Sequence, residues 1–276
     1  MDRRSRRVCE NQGVTVNRYE RWTRLLEMVA EAGQLTIDDT AAALGVSPAT
    51  VRRDFDELAA QQLVRRTRGG ATAHTVSYDL PLRFKVARRA PEKQRIAAAA
   101  AALVPAGATV CLNGGTTTTE IARALGTRAD LHDDPRGPAV TVVTNALNIA
   151  NELVVRPHVR VVTTGGVARP QSYELIGPIA AAMLQAVAVD VTILSVDGLD
   201  HRHGASTHHD GEAAINQIMA DQAERVVVAA DSSKLGRRAF ARICAVSAID
   251  TLVTDSSAPD DQIAVFQDAG VTVVRT

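Results

Sequence analysis

The chain has 276 residues, 46% of them hydrophobic, enough to bury a sizeable core and leave room for a small second domain. Basic and acidic residues balance at 31 each, so the chain as a whole does not advertise a nucleic-acid partner and any basic footprint must be local. No run approaches the roughly 18 apolar residues of a membrane span, and Cys9, Cys111 and Cys244, an odd count at unpatterned spacing, give neither a disulfide framework nor a zinc knuckle, which fits a reducing cytoplasm.

Basic residues gather at the start of the chain. Arg3, Arg4, Arg6, Arg7, Arg18, Arg21 and Arg24 stand against Asp2, Glu10 and Glu20, and a second knot follows at Arg52, Arg53, Arg65, Arg66 and Arg68. On charge alone such runs read equally well as a nucleic-acid footprint or as nothing more than a solvated tail and a solvated helix face. Residues 1–17 have no periodicity and no apolar stretch behind the arginines, so they are expected to be a disordered arm or an overlong start site rather than a targeting signal. Trp22, Leu25, Leu26 and Val29 then recur at helical spacing, with Gly33 as the stop. "TIDDTAAALG" has Thr36 as N-cap, Asp39 three residues on, Ile37, Ala41 and Leu44 as the buried stripe, and Gly45 as terminator. Ser47 and Pro48 open a third helix, giving the helix-turn-helix layout.

Geometry decides what the third helix can do. At about 100° per residue, Val51, Phe55 and Leu58 share one face while Ala49 and Arg53 lie opposite, with Thr50 and Arg52 on the flanks. Ser47, Ala49, Thr50, Arg52 and Arg53 therefore suit the N-terminal half of a helix entering a major groove. Leu63 to Thr67, turning at Gly69-Gly70 into a return strand, reads as a wing whose Arg65, Arg66 and Arg68 can follow the phosphate backbone. The bland alternative is a small helical bundle used for dimerisation. Residues 18–73 are thus expected to form a winged helix-turn-helix domain, and 74–91, bounded by Pro81 and Pro91 within mixed charge, a linker.

From Glu92 to residue 276 the pattern changes to short β-branched runs, "ATVCL", "AVTVVT", "VRVVTT", "VTILSV", "RVVVAA", "DTLVT" and "VTVV", spaced by alanine-rich amphipathic segments. Near-continuous apolar strands separated by helices indicate a mostly parallel three-layer α/β sheet. Ligands bind such sheets beyond the carboxyl ends of the strands. The residues expected there are Asn113, Gly115, Thr116, Thr117 and Thr118; Thr144 and Asn145; Gly165 and Gly166; Asp197; and Lys234, the one full positive charge. Glycines let backbone N–H groups approach an anion, hydroxyls donate to it, and a helix N-terminus lies behind. A phosphate at the Gly-Thr loop, with Asn145, Asp197 and Lys234 on hydroxyls or a carbonyl, describes a small phosphorylated sugar. Any single loop reads equally as an ordinary turn. The loop has neither the Walker lysine nor a G-x-G-x-x-G spacing, and no cofactor is expected.

Two rivals follow from the same residues. Asp197, Asp200, Glu174, Glu212 and Asp231 are carboxylates by type for a sugar-phosphate isomerase, with Lys234 as electrophile. "HRHGASTHHD" sets His201, His203, His208, His209 and Asp210 within ten residues, as a metal-responsive regulator would, but in no zinc spacing, and Gly204-Ala205-Ser206 suggests a flexible solvent loop. A DNA-binding head makes turnover of the signal counterproductive, so neither catalysis nor a metal is expected.

The runs "VSPATVRRDFDEL", "VRRTRGGA", "NGGTTT", "VVTNALNIA", "TTGG", "IGP" and "ADSSKLG" occur in an order that resembles the DeoR family of bacterial transcriptional regulators, from about Arg18 to Asp255. The resemblance implies a repressor of carbohydrate-metabolism genes with a sensor domain similar in fold to ribose-5-phosphate isomerase, which binds phosphorylated sugars or sugar-like metabolites. It also puts His208 or His209 beside the effector. The N-terminal arm departs from the family pattern, and Asn113 stands where an aspartate is expected in many relatives, changing charge and donor pattern toward the sugar. A single winged helix reads few base pairs, so a dimer or tetramer on double-stranded operator DNA is expected, with contacts from helices such as Ile179 to Ala188, a stripe equally suited to core.

Overall fold

In the computed structural model the described residues are 17–73, 81–85, 89–131 and 138–276. The expected arm, apart from Asn17, lies outside them, as do 74–80 and 86–88 of the expected linker. The chain divides into two compact units, Met1–Ser77 and Tyr78–Thr276.

The first unit contains α1 (Arg18–Ala32), β1 (Gln34–Thr36), α2 (Ile37–Leu44), α3 (Pro48–Ala60), β2 (Val64–Thr67) and β3 (Gly70–Ala73). The capping chemistry is as the sequence implies. The Thr36 hydroxyl accepts from Asp39 N at 3.2 Å, Gly45 ends α2 at φ 63°, and Ser47 caps α3 ahead of Pro48. Strand β1, three residues and too short for a periodic signal, pairs with β3 to complete the wing as an antiparallel sheet ordered β1-β3-β2. A Cβ at Gly70 would run into the Leu35 carbonyl oxygen, so only glycine permits this approach. Beneath the wing, buried Asp54 accepts from Arg21 Nε at 2.5 Å, Arg21 Nη2 at 2.9 Å and Trp22 Nε1 at 2.8 Å, locking α1 to α3.

The second unit opens with α4 (Leu82–Lys85), inside the segment expected to be linker, with Leu82 and Phe84 buried. It continues with α5 (Ala90–Ala102), β4 (Thr109–Leu112), α6 (Thr116–Gly126), β5 (Val140–Thr144), α7 (Leu147–Leu153), β6 (Val159–Thr163), a hairpin of β7 (Val167–Ala168) and β8 (Leu175–Ile176), and α8 (Pro178–Gln185). Then come β9 (Val189–Leu194), β10 (Gly198–Asp200), β11 (Gly204–Thr207), α9 (Asp210–Asp221), β12 (Ala223–Ala229), β13 (Ala241–Cys244), β14 (Thr251–Thr254), α10 (Asp260–Asp268) and β15 (Thr272–Arg275).

Seven strands form one parallel sheet in the order β15-β14-β12-β9-β4-β5-β6. Both faces are covered, which explains the unbroken apolar runs: along β12, Val226 and Val228 join one core with Leu184, Met219 and Phe266, while Val227 and Ala229 join the other with Ile96, Ile121 and Ile149. The three-layer expectation holds. Within the Ile179 to Ala188 stripe, Ala180 and Leu184 are core, whereas Ile179 is exposed.

One expectation is overturned. Gly204 to Ser206 is not a flexible solvent loop but part of β11, buried throughout and paired with both β10 and β13 in a small antiparallel sheet. Small side chains are what the strand needs there, because Gly204, at φ 80°, lies against the Cys244 carbonyl oxygen with no room for a Cβ.

Removing the acceptor of the α1–α3 lock takes two hydrogen bonds from Arg21 and one from Trp22. Asp54→Ala is expected to cost the first unit about 3 kcal/mol, read in urea as an earlier transition of that unit with the second unit's transition in place.

Candidate functional site

On the first unit the third-helix residues fall as the helical angle requires: Ser47, Ala49, Arg52 and Arg53 are exposed and Thr50 is half-buried, opposite the fully buried Val51, Phe55 and Leu58. Arg65 and Arg68 are exposed on the wing. Arg66, half-buried, is engaged within the unit. Its Nε lies 2.7 Å from Asp56 Oδ1, its Nη1 donates to Gly70 O at 2.7 Å, and its guanidinium sits 5.7 Å from the Phe55 ring centroid, so it ties the wing to α3. Strand alternation separates it from Arg65, since Val64 and Arg66 share a side of β2.

In the second unit strand order reverses at β4, which has β5 on one side and β9 on the other. This is the position where an open parallel sheet leaves a crevice beyond its carboxyl ends. Asn113 closes its floor: its Oδ1 accepts from Ser195 N at 2.8 Å and its Nδ2 donates to Ser195 O at 2.9 Å, splicing the end of β4 to the end of β9. An aspartate cannot make the second bond. Thr144 is likewise committed, donating to Leu112 O at 2.7 Å and accepting from Ala146 N at 3.0 Å.

The two loop glycines are there for close approach. A Cβ on Gly114 would collide with the Glu174 side chain, and one on Gly115, at φ 153°, would lie 2.6 Å from Ser195 Cβ. Gly115 is the N-cap of α6 without a side-chain cap bond. The Thr118 and Thr119 hydroxyls turn back to Gly115 O at 3.3 and 2.6 Å. Half-buried Thr116 and buried Thr117 make no side-chain hydrogen bond among the described residues, and they head a helix whose first N–H groups have no intrahelical acceptor. Gly165 and Gly166, at φ 68° and 118°, turn β6 into the β7–β8 hairpin, and a Cβ on Gly166 would lie 2.6 Å from Ile176 O.

That hairpin carries a residue the site expectation omitted. Glu174 is buried and accepts from Gly114 N at 3.0 Å and Asn145 Nδ2 at 3.3 Å, leaving Asn145 Oδ1 buried with no partner among the described residues. Burial first, then the neighbouring Glu212 carboxylate, push the Glu174 carboxyl up to about 8, outweighing the Gly114 N–H. Glu212, at the start of α9, takes Arg169 Nη1 at 3.2 Å and the Thr207 hydroxyl at 3.3 Å. Thr207 also donates to Asp197 Oδ2 at 2.9 Å, and Lys234 Nζ stands 3.9 Å from Asp197 Oδ1. Burial alone would raise the Asp197 carboxyl, but the charges of Lys85, Lys234 and His208 and the Thr207 hydroxyl hold it below the usual range. One chain of polar contacts therefore runs from the Gly-Thr loop to Lys234. Both glutamates were visible in sequence only as carboxylates by type; acids placed among apolar neighbours, Glu174 before Leu175 and Glu212 before Ala213, were the available signal.

The histidines divide. His203 Nδ1 lies 3.1 Å from Asp200 Oδ1, whereas the His208 N–H donates to Asp197 Oδ2 at 3.3 Å. Among the described residues no three His, Cys, Asp or Glu side chains group closely enough to hold a metal ion.

Comparison with known proteins now bears on both units. The pattern of the DeoR-like helix-turn-helix domain matches residues 21–76, and that of the DeoR C terminal sensor domain matches residues 88–256. The chain belongs to the DeoR family of transcriptional regulators. It is 33% identical over 256 residues to the HTH-type transcriptional regulator GlpR of Haloferax volcanii, covering 92% of this chain and 96% of that one. It is 30% identical over 249 residues to the Glycerol-3-phosphate regulon repressor of Escherichia coli K12, covering 90% and 95%. Ribose 5-phosphate isomerase A from Methanocaldococcus jannaschii overlaps only 51% of this chain and 52% of its own, with a TM-score of 0.38 and 20% identity.

Each DeoR pattern falls within one compact unit, so the helix-turn-helix and the seven-stranded sensor sheet are the family's two parts. No helix among the described residues is long and apolar enough to cross a membrane. In this DeoR sensor domain the protonated state of Glu174 is favoured by folding. Between the ordinary value of 4.5 and about 8 the native state holds a proton that the unfolded chain has released, so stability falls as pH rises through that window and levels off above it. Thermal melts at stepped pH are expected to show this slope in the wild type and its loss in Glu174→Gln.

Proposed function

We propose that this DeoR-family protein is a cytoplasmic repressor of carbohydrate-metabolism genes whose hold on its operator is weakened by a phosphorylated sugar. The observation that carries the proposal is the head of α6: two threonines with uncommitted hydroxyls and a helix N-terminus, set at the strand-order reversal behind two glycines. A phosphate received by Thr116 and Thr117 leaves the sugar's hydroxyls facing Asp197 and Lys234. Asn113, Thr144, Gly165 and Gly166 act as the frame that shapes the crevice, since their side chains or backbone angles are already spent on the protein itself, while Asn145 is held by its Nδ2 and keeps its Oδ1 acceptor uncommitted among the described residues. The name of the Escherichia coli relative, a glycerol-3-phosphate regulon repressor, supports a phosphorylated polyol or sugar as the signal class.

On DNA, the exposed N-terminal half of α3, with Ala49, Thr50, Arg52 and Arg53, enters the major groove, and Arg65 and Arg68 follow the phosphates. Two or more copies are required, because one such helix reads too few base pairs to find a site. Effector must bind the DNA-competent and DNA-incompetent arrangements unequally, with a coupling of about 1–3 kcal/mol typical of such systems.

The purified protein is to be melted against a panel of sugar phosphates, free sugars and divalent metals, and any hit tested for release of an operator duplex. A phosphorylated hit that releases DNA and is recovered unchanged after long incubation is the expected outcome. Its conversion to an isomer would replace the sensor with an enzyme, and a response to metals alone would move sensing to the histidines. Thr117→Val is expected to lose the response. Arg53→Ala is expected to weaken operator binding by about 1–3 kcal/mol and relax sequence preference, whereas Arg65→Ala should weaken all duplexes alike and reduce the salt dependence by about one charge.

A further inference from the structure

The segment from Leu82 to Lys85, with Arg89 beyond it, is the part of the second unit that leads along the chain toward the DNA-binding unit. It is not simply laid over the sensor. Leu82 N donates to Gln171 O at 2.7 Å, on the hairpin that delivers Glu174 to the Gly-Thr loop. Leu82 and Phe84 are buried, and Lys93 Nζ donates to Lys85 O at 3.0 Å, which fixes the end of α4 against α5. Half-buried Lys85 is close enough to act electrostatically on Asp197, the carboxylate that Lys234 also faces at 3.9 Å.

Arg89 makes the third attachment. Its Nη1 donates to Ser232 Oγ at 2.9 Å and lies 3.7 Å from Asp231 Oδ1. Asp231 is the N-cap of the short helical turn Ser232–Lys234, accepting from Ser233 N at 3.0 Å, so Arg89 rests on the cap of the turn that presents Lys234. The segment thus touches two loops of the crevice, those of Gln171 and Ser232, at points separated widely in sequence, and Lys85 acts by its charge on a third, that of Asp197. Ordinary linker has no need for this: one apolar anchor, such as Phe84, would hold it.

We propose that this connecting segment is a wall of the effector site, with Lys85 a second cation for the anionic ligand beside Lys234, and Arg89 a positioning residue that ties the Lys234 turn to the chain leading to the DNA-binding unit. With the phosphate at Thr116 and Thr117, the ligand's hydroxyls take up Asp197 and its net negative charge draws Lys85 and Lys234 from that carboxylate, so ligand binding and the setting of the connector are one event. No relay through the sheet is required, because this segment is the part of the second unit that continues along the chain toward the DNA-binding unit. The proposal rests on the sugar-phosphate reading of the crevice, and its test separates the two.

The full-length protein is titrated with ribose 5-phosphate, fructose 6-phosphate, glycerol 3-phosphate and inorganic phosphate, following both thermal unfolding and release from an operator duplex selected on the wild type. No response of the wild type to any sugar phosphate overturns the crevice reading and this proposal with it. With an active sugar phosphate identified, Lys85→Gln is expected to raise the half-saturating concentration about tenfold, a size typical of one charged contact, with partial recovery in Lys85→Arg. Arg89→Gln is expected to reduce the ratio of effector-free to effector-saturated operator affinity about fivefold, within the usual range of allosteric coupling, and Arg89→Lys to restore part of it. Because the ratio compares each variant with itself, a general loss of stability does not imitate the effect. Wild-type half-saturation in Lys85→Gln and a wild-type ratio in Arg89→Gln, alongside a lost response in Thr117→Val, overturn the proposal and leave the crevice reading standing.

Discussion

The sensor domain depends on the splice between β4 and β9. Where strand order reverses, the two strands have neighbours leading away on opposite sides, and helices on the two faces part to leave a crevice. Something must join the strand ends there without filling the space above them. Asn113 does so with one amide that both donates to and accepts from the Ser195 backbone, while Gly114 and Gly115 keep the loop low enough for Glu174 and Ser195 to approach. The two strand ends are held together there by a side chain with no charge and two complementary bonding groups.

The same splice sets the electrostatics. It brings Glu174 onto the Gly114 N–H and close to Glu212, and two carboxylates sharing a dry site cannot both ionise freely. Asp197, despite its burial, is held below the usual carboxylate range by the charges of Lys85, Lys234 and His208 and by the Thr207 hydroxyl. The crevice therefore has a neutralised inner end and a charged outer end.

The first unit uses a related economy. A small domain has little core to spare, so Asp54 draws α1 against α3 with three hydrogen bonds from Arg21 and Trp22, and Arg66 closes the wing over Phe55. Arginine has two separate uses here. Arg21 and Arg66 are consumed in holding the domain together, which leaves the exposed Arg52, Arg53, Arg65 and Arg68 for an external partner.

Local chemistry was legible in the sequence. Caps at Thr36 and Ser47, terminators at Gly33 and Gly45, and the buried face of α3 each follow from interactions within a few residues, and the seven parallel strands follow from apolar runs that a two-sided sheet alone requires. What could not be read were contacts made across the chain. β1 and β11 are strands because distant partners pair with them, not because of their own pattern, so Gly204 to Ser206 read as loop. Asn113, Thr144 and Asn145 follow strand ends and so lie at the carboxyl edge as read from sequence, but only the folded chain shows the Asn113 amide and Thr144 hydroxyl spent on Ser195 and Leu112 and the Asn145 Nδ2 on Glu174. Glu174 and the Leu82–Lys85 segment were brought to the crevice by tertiary structure alone, since residues 60 or more positions apart carry no mark of their meeting until packing makes them neighbours. The sequence determined what each loop can bond to; the fold decided which of those bonds the protein keeps for itself.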